Sequence, residues 1–175
     1  SLYWLARMLA AGEDPLYIAR RMVRFASEDI GLADPQALTV ALNGVEAFRF
    51  LGPPEGELAL AQVAVHLATA PKSNAIYTAY KGAREAARRH GSLAVPLHIR
   101  NAPTGLMKEL GYGADYRYAH DYEDAFVAQS YLPPEIQAHL YYHPSERGYE
   151  KAVKQRLDRW RRMTKKKQHP EGRRD

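Results

Sequence analysis

The 175-residue sequence predicts an all-α fold of stacked antiparallel helices, followed by a loop-rich, tyrosine-rich module and a basic C-terminal helix. Three observations support this prediction. Capping residues and glycines divide the first 91 residues into helix-length blocks, apolar residues recur in each block at the helical period, and prolines interrupt the chain beyond them. We predict helices at about 2–11, 15–30, 35–51, 54–69 and 74–90.

The boundaries of these helices are marked by residues with a known physical role. Asp14-Pro15 and Asp34-Pro35 each place a capping carboxylate before a proline at the first helical position. Ser73 can cap the fifth helix in the same way. The fourth helix is predicted to have a proline and two acids in its first turn: Pro54, Glu55 and Glu57. Glycines stand where helices are predicted to end: Gly12, Gly31, Gly52 and Gly91.

Apolar residues keep the helical spacing within each block. Examples are Ile18, Met22, Phe25 and Ile30 in the second helix, and Leu38, Leu42, Val45 and Phe48 in the third. Because short connections join successive helices, we expect neighbours in the sequence to pack antiparallel. The helix from Pro54 is expected to be central, because small residues along it permit close approach: Ala59, Ala61, Ala64 and Ala68.

Beyond Gly91 only short segments remain between prolines at 96, 103, 133, 134 and 144. We predict a short helix at about 105–110, capped by Thr104 and ended by Gly111. A second short helix is predicted from Asp121 to about Ser130. Residues 116–118 and 141–142 are typical of extended chain and could pair as a short two-stranded β-ribbon.

Eight of the 12 tyrosines lie between Tyr112 and Tyr149. One interpretation is that their rings seal a loop-rich module against the helices, since tyrosine joins an apolar ring to a polar tip. The other is a stacking platform for single-stranded bases, with Arg100, Lys108 and Arg117 contacting phosphates. We favour the first, because stacking platforms normally carry more exposed basic residues among their rings.

A final helix is predicted from about Ser145 to about Lys165. Its apolar stripe consists of Tyr149, Val153, Leu157 and Trp160. Opposite charges four residues apart, Glu150 with Lys154 and Asp158 with Arg162, are expected to pair. The other faces and the following tail are basic, and they supply the DNA-binding candidates Lys151, Lys154, Arg156, Arg159, Arg161, Arg162, Lys165, Lys166 and Lys167. The alternative is a solvated basic face without a partner.

The net charge of +5 is concentrated at the C-terminus. Residues 145–175 hold 12 Lys or Arg and 5 Asp or Glu, a net of +7, whereas residues 1–144 hold 13 basic and 15 acidic residues. This asymmetry indicates an anionic partner or a solubilising terminus. With no cysteine, disulfides, thiolate catalysis and Cys-ligated zinc are excluded.

No membrane partner is expected, because the longest uncharged stretch, residues 58–71, is too short to span a bilayer. Ser1 leads directly into an apolar helix, without an initiator Met or a basic n-region. We therefore expect no signal peptide, a cytoplasmic location, and a chain whose N-terminal neighbour in a longer protein is absent.

We recognise no catalytic constellation and predict no catalytic, cofactor-binding or metal-binding residue in this chain. Residues 70–73, APKS, match only the end of a phosphate-binding loop and lack its glycines. Five residues could in principle form a metal site: His98, His120, Asp121, His139 and His143. Structural histidines are the favoured interpretation, since Pro144 and two intervening tyrosines make a shared helical face for His139 and His143 doubtful.

Several idiosyncratic strings occur in a fixed order along the chain. They are LYWLARML at 2–9, SEDIG at 27–31, PEGELALAQ at 54–62, APKSNAIYTAY at 70–80 and PLHIRNAPTGLMKELGYGADYRYAH at 96–120. On these strings the chain, from Leu2 to about Lys151, resembles the C-terminal region of the RarA/MgsA family of AAA+ ATPases, which are related to clamp loaders. Little of the family pattern is visible at 122–130 and beyond Lys151.

The resemblance implies a clamp-loader-like helical collar, a family-specific extension, and assembly into a homotetramer. It also implies that ATP and magnesium are bound in an N-terminal ATPase domain outside this chain, so no family catalytic residue carries over. By this analogy the subunit-contact candidates are Tyr3, Trp4 and Tyr17 in the first two helices. DNA and replication proteins such as single-strand-binding protein are the further partners it implies.

Our leading hypothesis is that the chain is the C-terminal oligomerisation region of a AAA+ ATPase acting in DNA replication, recombination and repair at stalled forks. We divide it into a collar-like region at 1–91, an extension at 92–144, and a basic helix with a disordered tail at 145–175. The alternative is a DNA-binding module that grips single strands with its basic tail and tyrosine-rich segment. An independent small enzyme is a third hypothesis, disfavoured because no nucleophile and base are recognisably paired.

Overall fold

A computed structural model describes residues 1–122 and 125–168 of the chain. Over these residues it contains seven α-helices joined by turns and short 3₁₀ segments, and no strand, so the all-α prediction is confirmed. The helices are α1 (Leu2–Ala10), α2 (Pro15–Phe25), α3 (Ala37–Leu51), α4 (Glu57–Thr69), α5 (Ala75–His90), α6 (Gly105–Glu109) and α7 (Glu150–Gln168). In this described part, no helix is both long enough and apolar enough to cross a membrane.

The chain forms two compact units. The first unit contains residues 1–83 together with 141–154, and the second contains residues 84–140 together with the chain from 155 onwards. Residues 141–154 therefore belong with the N-terminal helices, although they are distant from them in the sequence.

Capping residues begin the helices of the first unit much as predicted. The Asp14 carboxylate accepts a hydrogen bond from the Leu16 amide at 2.9 Å, which caps α2. Asp34 accepts from the Gln36 amide at 3.0 Å, but α3 itself begins only at Ala37. The predicted helix at 15–30 is also less regular than expected, because its last five residues, Ala26–Ile30, form a π-helical turn.

Two clusters of buried apolar side chains hold the first unit together. One joins α1, α2, α3 and α4 around Leu5, Ile18, Phe48 and Leu60, and the other surrounds Ile30. Helix α4 packs against α1, α2 and α3, which confirms its predicted central place. Its contact with α3 is close, because a Cβ added at Gly44 would lie 2.2 Å from Val63 Cγ2.

The buried stripe of α3 shares Phe48 with the apolar residues that predicted this helix, but its other members are smaller residues. Its buried members are Ala37, Ala41, Gly44 and Phe48, whereas Leu38 and Leu42 are exposed. The physical reason is the close approach of α4, which small residues allow and leucines would prevent.

The second unit consists mainly of turns and short helices. Helix α6 is capped by Thr104, which accepts from the Met107 amide at 3.3 Å, as predicted. The predicted helix from Asp121 to Ser130 is wrong: Asp121 ends a 3₁₀ turn, and Ala125 has a left-handed φ of 47° that an α-helix does not accommodate. Residues 123 and 124 of that prediction lie outside the described residues.

The predicted β-ribbon is also absent from the described chain. Residues 141–142 belong to the first unit, and the backbone of Arg117 in the second unit has another partner. The Gln129 side-chain amide donates to the Arg117 carbonyl at 3.4 Å and accepts from the Arg117 amide at 3.3 Å. A side chain thus satisfies backbone groups for which the prediction assumed a neighbouring strand.

Helix α7 begins at Glu150, five residues later than predicted. The helix cannot begin at Ser145, because Gly148 adopts a left-handed φ of 50° that a continuous helix does not contain.

Candidate oligomerisation surface and basic helix

Helix α1 presents an aromatic surface to solvent. Tyr3 and Trp4 are 66% and 61% exposed, and their rings meet edge to face with centroids 5.3 Å apart. The Arg7 guanidinium lies 5.8 Å from the centre of the Trp4 ring. Exposed aromatic rings beside an arginine are typical of residues that become buried at protein interfaces.

A cavity of about 520 Å³ opens beside Trp4, between α1, α2, the π-helical turn and the last turns of α4. Its apolar lining includes Trp4, Leu5, Met8, Ile18, Met22, Phe25, Leu67 and Ala68. Its charged lining consists of Arg21, Arg24, Glu28 and Asp29. We call this feature the α1–α2 cavity.

The charged groups at the α1–α2 cavity include one well-formed ion pair. Arg24 Nε lies 2.6 Å from Glu28 Oε2, four residues along the chain. The hydrogen bond from Arg24 lowers the pKa of Glu28, and the same bond raises the pKa of Arg24. Because Arg24 is exposed, the pair fixes geometry more than it stabilises the fold.

Tyr17, the third predicted contact residue, lies on α2 and is 43% exposed. The Arg20 guanidinium stands 5.3 Å from the centre of its ring. Tyr17 borders a separate cavity of about 410 Å³, together with Leu42 and Val45 of α3. The three predicted contact residues are therefore all accessible, but they do not line one common site.

The most exposed apolar side chains in the first unit lie where α3 ends and α4 begins. Phe50 is 90% exposed and Leu58 is 77% exposed, with Leu51 also exposed between them. Sequence reasoning missed this group, which we call the α3–α4 knob. A usable signal was present, because Phe50 falls outside the helical stripe that ends at Phe48.

Helix α7 carries the predicted DNA-binding residues in two different settings. Exposed positions are Lys151, Arg156, Arg159 and Arg162, whereas Lys154 and Arg161 are partly buried. Lys154 pairs with Glu146, and Arg161 pairs with Asp158 at 3.2 Å. The side chains of Lys165, Lys166 and Lys167 lie outside the described part of the chain.

One side of α7 is apolar, as its spacing predicts. Val153, Leu157 and Trp160 are partly buried, and the Trp160 ring stacks on Phe126 with centroids 5.6 Å apart. Tyr149, the first predicted member of this stripe, precedes the helix and is exposed.

The N-terminus of α7 contains a buried polar cluster that the sequence analysis did not foresee. Glu150 is fully buried, and its carboxylate accepts hydrogen bonds from the Ser73 hydroxyl at 2.6 Å, the Tyr142 hydroxyl at 2.8 Å and the Ser145 amide at 2.8 Å. The same Ser73 oxygen accepts from the Ala75 amide at 3.3 Å, so Ser73 also serves as the predicted cap of α5.

The electrostatics of this cluster favour an ionised Glu150. Burial alone would raise the pKa of Glu150, but the hydrogen bonds from Ser73, Ser145 and Tyr142 outweigh burial and lower it. The pKa of the Tyr142 phenol is raised, first by burial and then by its hydrogen bond to the Glu150 carboxylate. The cluster therefore joins residues 141–150 to the α4–α5 connection through a buried carboxylate.

Two of the three basic residues predicted to contact phosphates, Arg100 and Arg117, bond to backbone carbonyls of the second unit. Arg100 donates to the Val95 carbonyl at 2.6 Å and lies 5.0 Å from the centre of the Tyr112 ring. Arg117 donates to the Ala128 carbonyl. The phosphate-binding role of Arg100, Lys108 and Arg117 stays a prediction.

The five residues that could in principle have formed a metal site are not brought together. His98 Nε2 hydrogen-bonds to the Ser130 carbonyl at 2.6 Å, and His139 contacts the Ile136 carbonyl at 3.2 Å. The His120 ring lies against Tyr118. Within residues 1–122 and 125–168, no three His, Asp or Glu side chains are placed to hold one metal ion.

The whole region described above matches one protein family. Residues 1–161 fit the family described as MgsA AAA+ ATPase C terminal. This chain belongs to that family. The match extends to residue 161 and so continues beyond Lys151, where the resemblance was expected to end.

Relatives of this chain occur in bacteria and in a eukaryote. It is 55% identical over 164 residues to replication-associated recombination protein A of Coxiella burnetii, a match that covers 93% of this chain and 37% of the relative. Identity to the Escherichia coli K12 protein of the same name is 54%, covering 90% of this chain and 35% of the relative. Identity to ATPase WRNIP1 of Dictyostelium discoideum is 53%, and this match covers 77% of this chain and 15% of the relative.

The chain thus spans little more than a third of the length of the bacterial relatives that it matches. The family match places it at their C-terminal part. The predicted kinship to the RarA/MgsA family is confirmed.

Proposed function

We propose that this chain is the C-terminal oligomerisation region of a AAA+ ATPase that acts in DNA replication, recombination and repair at stalled forks. It would organise the ATPase domains into a homotetramer, so that each can contribute to its neighbour's nucleotide site. ATP and magnesium belong to the N-terminal part of the parent protein in this proposal. The names of the relatives, which describe an ATPase and replication-associated recombination proteins, support it.

The observation that carries this proposal is the amount of apolar surface exposed on the first unit. Tyr3, Trp4, Phe50 and Leu58 are all more than half exposed, although the unit has well-packed apolar clusters of its own. Exposed apolar groups of this size cost free energy in water and are typical of surfaces that meet a partner. A second copy of the chain is the partner that the family resemblance implies.

Light scattering on the purified 175-residue chain tests this assembly. At tens of micromolar we expect a particle mass of about four times the 19.8 kDa of one chain. Leu106 of the second unit is 66% exposed, as much as Tyr3. Replacing Leu106 with Glu should leave this mass unchanged, because the proposed contact lies on the first unit. A strict monomer at these concentrations would contradict the proposal.

A second candidate function is non-sequence-specific DNA binding by α7. The exposed basic residues Arg156, Arg159 and Arg162 favour it, because phosphate contacts need accessible cations. Replacing all three with Glu should weaken binding to single-stranded DNA and make the dependence of log affinity on log salt less steep, by about 0.7 per lost phosphate contact.

The matched control for this experiment changes the same charge on another helix. Lys81, Arg88 and Arg89 of α5 are also exposed, so replacing them with Glu alters net charge equally without touching α7. Equal loss of affinity in both triple variants would reject α7 as the binding site. Recruitment of single-strand-binding protein and a cytoplasmic location remain predictions beside this proposal.

A further inference from the structure

The first turns of α1 form one wall of the α1–α2 cavity. Ser1, Trp4, Leu5 and Met8 all line it, at the spacing of a single helix face. The other walls belong to α2, the π-helical turn and the last turns of α4. Because Ser1 itself borders the cavity, any chain joined to Ser1 starts at the cavity's edge.

The proposed parent protein has a long stretch of chain to place there. The match to the Coxiella burnetii relative covers 37% of that protein, and the matched family is described as the C terminal part of a AAA+ ATPase. Most of a relative of this length therefore lies upstream of the position that Ser1 occupies. In the proposed parent, this upstream chain meets α1 at the edge of the α1–α2 cavity.

The lining of the cavity favours an apolar occupant. Arg24 is bonded to Glu28, and Asp29 balances the charge of Arg21, so the charged lining does not select an ion of either sign. Trp4 and Met8, which border the apolar space, are 61% and 40% exposed. Covering them removes apolar surface from water, which is favourable by about 25 cal/mol per Å².

A segment of the same polypeptide has an advantage over a separate partner at this cavity. Its attachment to Ser1 holds it nearby at an effective concentration of about a millimolar. A separate molecule loses translational and rotational freedom worth about 4–15 kcal/mol when it binds. The apolar contacts that a cavity of about 520 Å³ can offer therefore hold a tethered segment more readily than a free one.

We propose that the segment immediately upstream of Ser1 in the parent protein folds over the α1–α2 cavity and buries Trp4 and Met8. This inference rests on one part of the proposed function, that the chain is the C-terminal region of a longer ATPase, and not on assembly. It assigns Trp4 to a contact within one molecule. Tyr3 and the α3–α4 knob remain as exposed apolar surface for the proposed assembly.

Thiol labelling tests whether the parent covers the cavity. Because the 175-residue chain has no cysteine, Met8→Cys places a single thiol there. Its reaction with a maleimide should be at least about tenfold slower in the full-length parent than in the 175-residue chain, since a covered thiol reacts only when the segment opens locally. The parent without the substitution gives the background from any cysteine of its own.

Leu16→Cys is the matched control. Leu16 is 39% exposed and Met8 is 40% exposed, but Leu16 lines a different cavity, beside Tyr17. The Leu16→Cys thiol should react at the same rate in both proteins. Ala68→Cys, on α4 at the same cavity as Met8, replaces Met8→Cys should that variant fail to fold.

Two labelling results would overturn the inference. One is an equal rate for Met8→Cys in the parent and in the 175-residue chain. The other is an equal slowing of Leu16→Cys in the parent, because protection would then not be specific to the cavity. Labelling and light scattering also fail separately: a monomeric 175-residue chain contradicts the proposed assembly, whereas these rates contradict only the covered cavity.

Photo-crosslinking identifies the occupant. With p-benzoylphenylalanine in place of Trp4 in the parent, the crosslink should lie within about 20 residues upstream of Ser1, the length of one helix and its connection. An equal mixture of unlabelled and isotope-labelled parent shows whether both crosslinked peptides come from one molecule, as the inference requires. A crosslink to a second copy, or to a more distant part of the parent, would overturn it.

Discussion

Replacing Glu150 with Ala is expected to destabilise the first unit by about 3–5 kcal/mol. The substitution removes a fully buried carboxylate and leaves three donors without their acceptor: the Ser73 hydroxyl, the Tyr142 hydroxyl and the Ser145 amide. Each buried donor left unpaired costs about 1–3 kcal/mol. Urea denaturation followed by circular dichroism, with the free energy of unfolding extrapolated to water, measures the loss.

Two matched variants show whether burial or charge is responsible. Glu146→Ala removes an exposed carboxylate four residues earlier, paired with Lys154, and should change stability little. Glu150→Gln keeps one acceptor oxygen and the side-chain shape, so it should lose less than Glu150→Ala. A Glu150→Ala variant as stable as Glu146→Ala would contradict the role assigned to the buried cluster.

The pH dependence of stability provides a further check on Glu150. The pKa of Glu150 is lower in the folded chain than its ordinary value of 4.5. Between these two pKa values the carboxylate is protonated more in the unfolded chain than in the folded chain. The stability that the carboxylate contributes is therefore fully present above pH 4.5 and is lost as the pH falls through the lower, folded pKa. The Glu150→Gln variant should lack this part of the profile.

The elements that the sequence predicted correctly are those fixed by neighbouring residues. Asp14 caps α2 with an amide two residues away, and Thr104 caps α6 with one three residues away. Helical spacing likewise indicated the central place of α4, because its small residues can be read directly along the chain. Such local interactions require no knowledge of the tertiary fold.

Interactions between distant residues were beyond prediction for a physical reason. The bond between Ser73 and Glu150 joins positions 77 residues apart, and no spacing in the sequence relates them. Glu150 was therefore expected to pair with Lys154 on a solvent-exposed helix, as the four-residue spacing suggests. The candidate contact surface was similarly incomplete, because the exposure of Phe50 depends on how α3 packs and ends.

Replacing Gly148 with Ala is expected to cost about 2–5 kcal/mol of stability. Gly148 adopts a φ of 50°, where an L-residue with a Cβ loses about 1–2 kcal/mol. A Cβ there would also lie 2.1 Å from the Ala33 carbonyl oxygen and 2.6 Å from Pro71 Cγ. Overpacking of this kind typically costs a further 1–3 kcal/mol.

Gly12→Ala is the control that separates backbone strain from steric overlap. Gly12 also has a left-handed φ, of 84°, but a Cβ at that position would have no heavy atom within 4 Å. The Gly12→Ala variant should therefore lose only the stability that backbone strain costs, about 1–2 kcal/mol. Equal losses for Gly12→Ala and Gly148→Ala in urea denaturation would show that the overlap with Ala33 is relieved without cost.

The overlap is costly because the Ala33 carbonyl already has a structural role. It accepts the Tyr149 amide at 2.8 Å, immediately before α7 begins, so displacing it breaks the hydrogen bond that places the start of this helix. The Glu150 carboxylate follows at the next residue and depends on the same placement. Gly148→Ala combined with Glu150→Ala should therefore cost less than the two single losses added together, since each disrupts the same attachment.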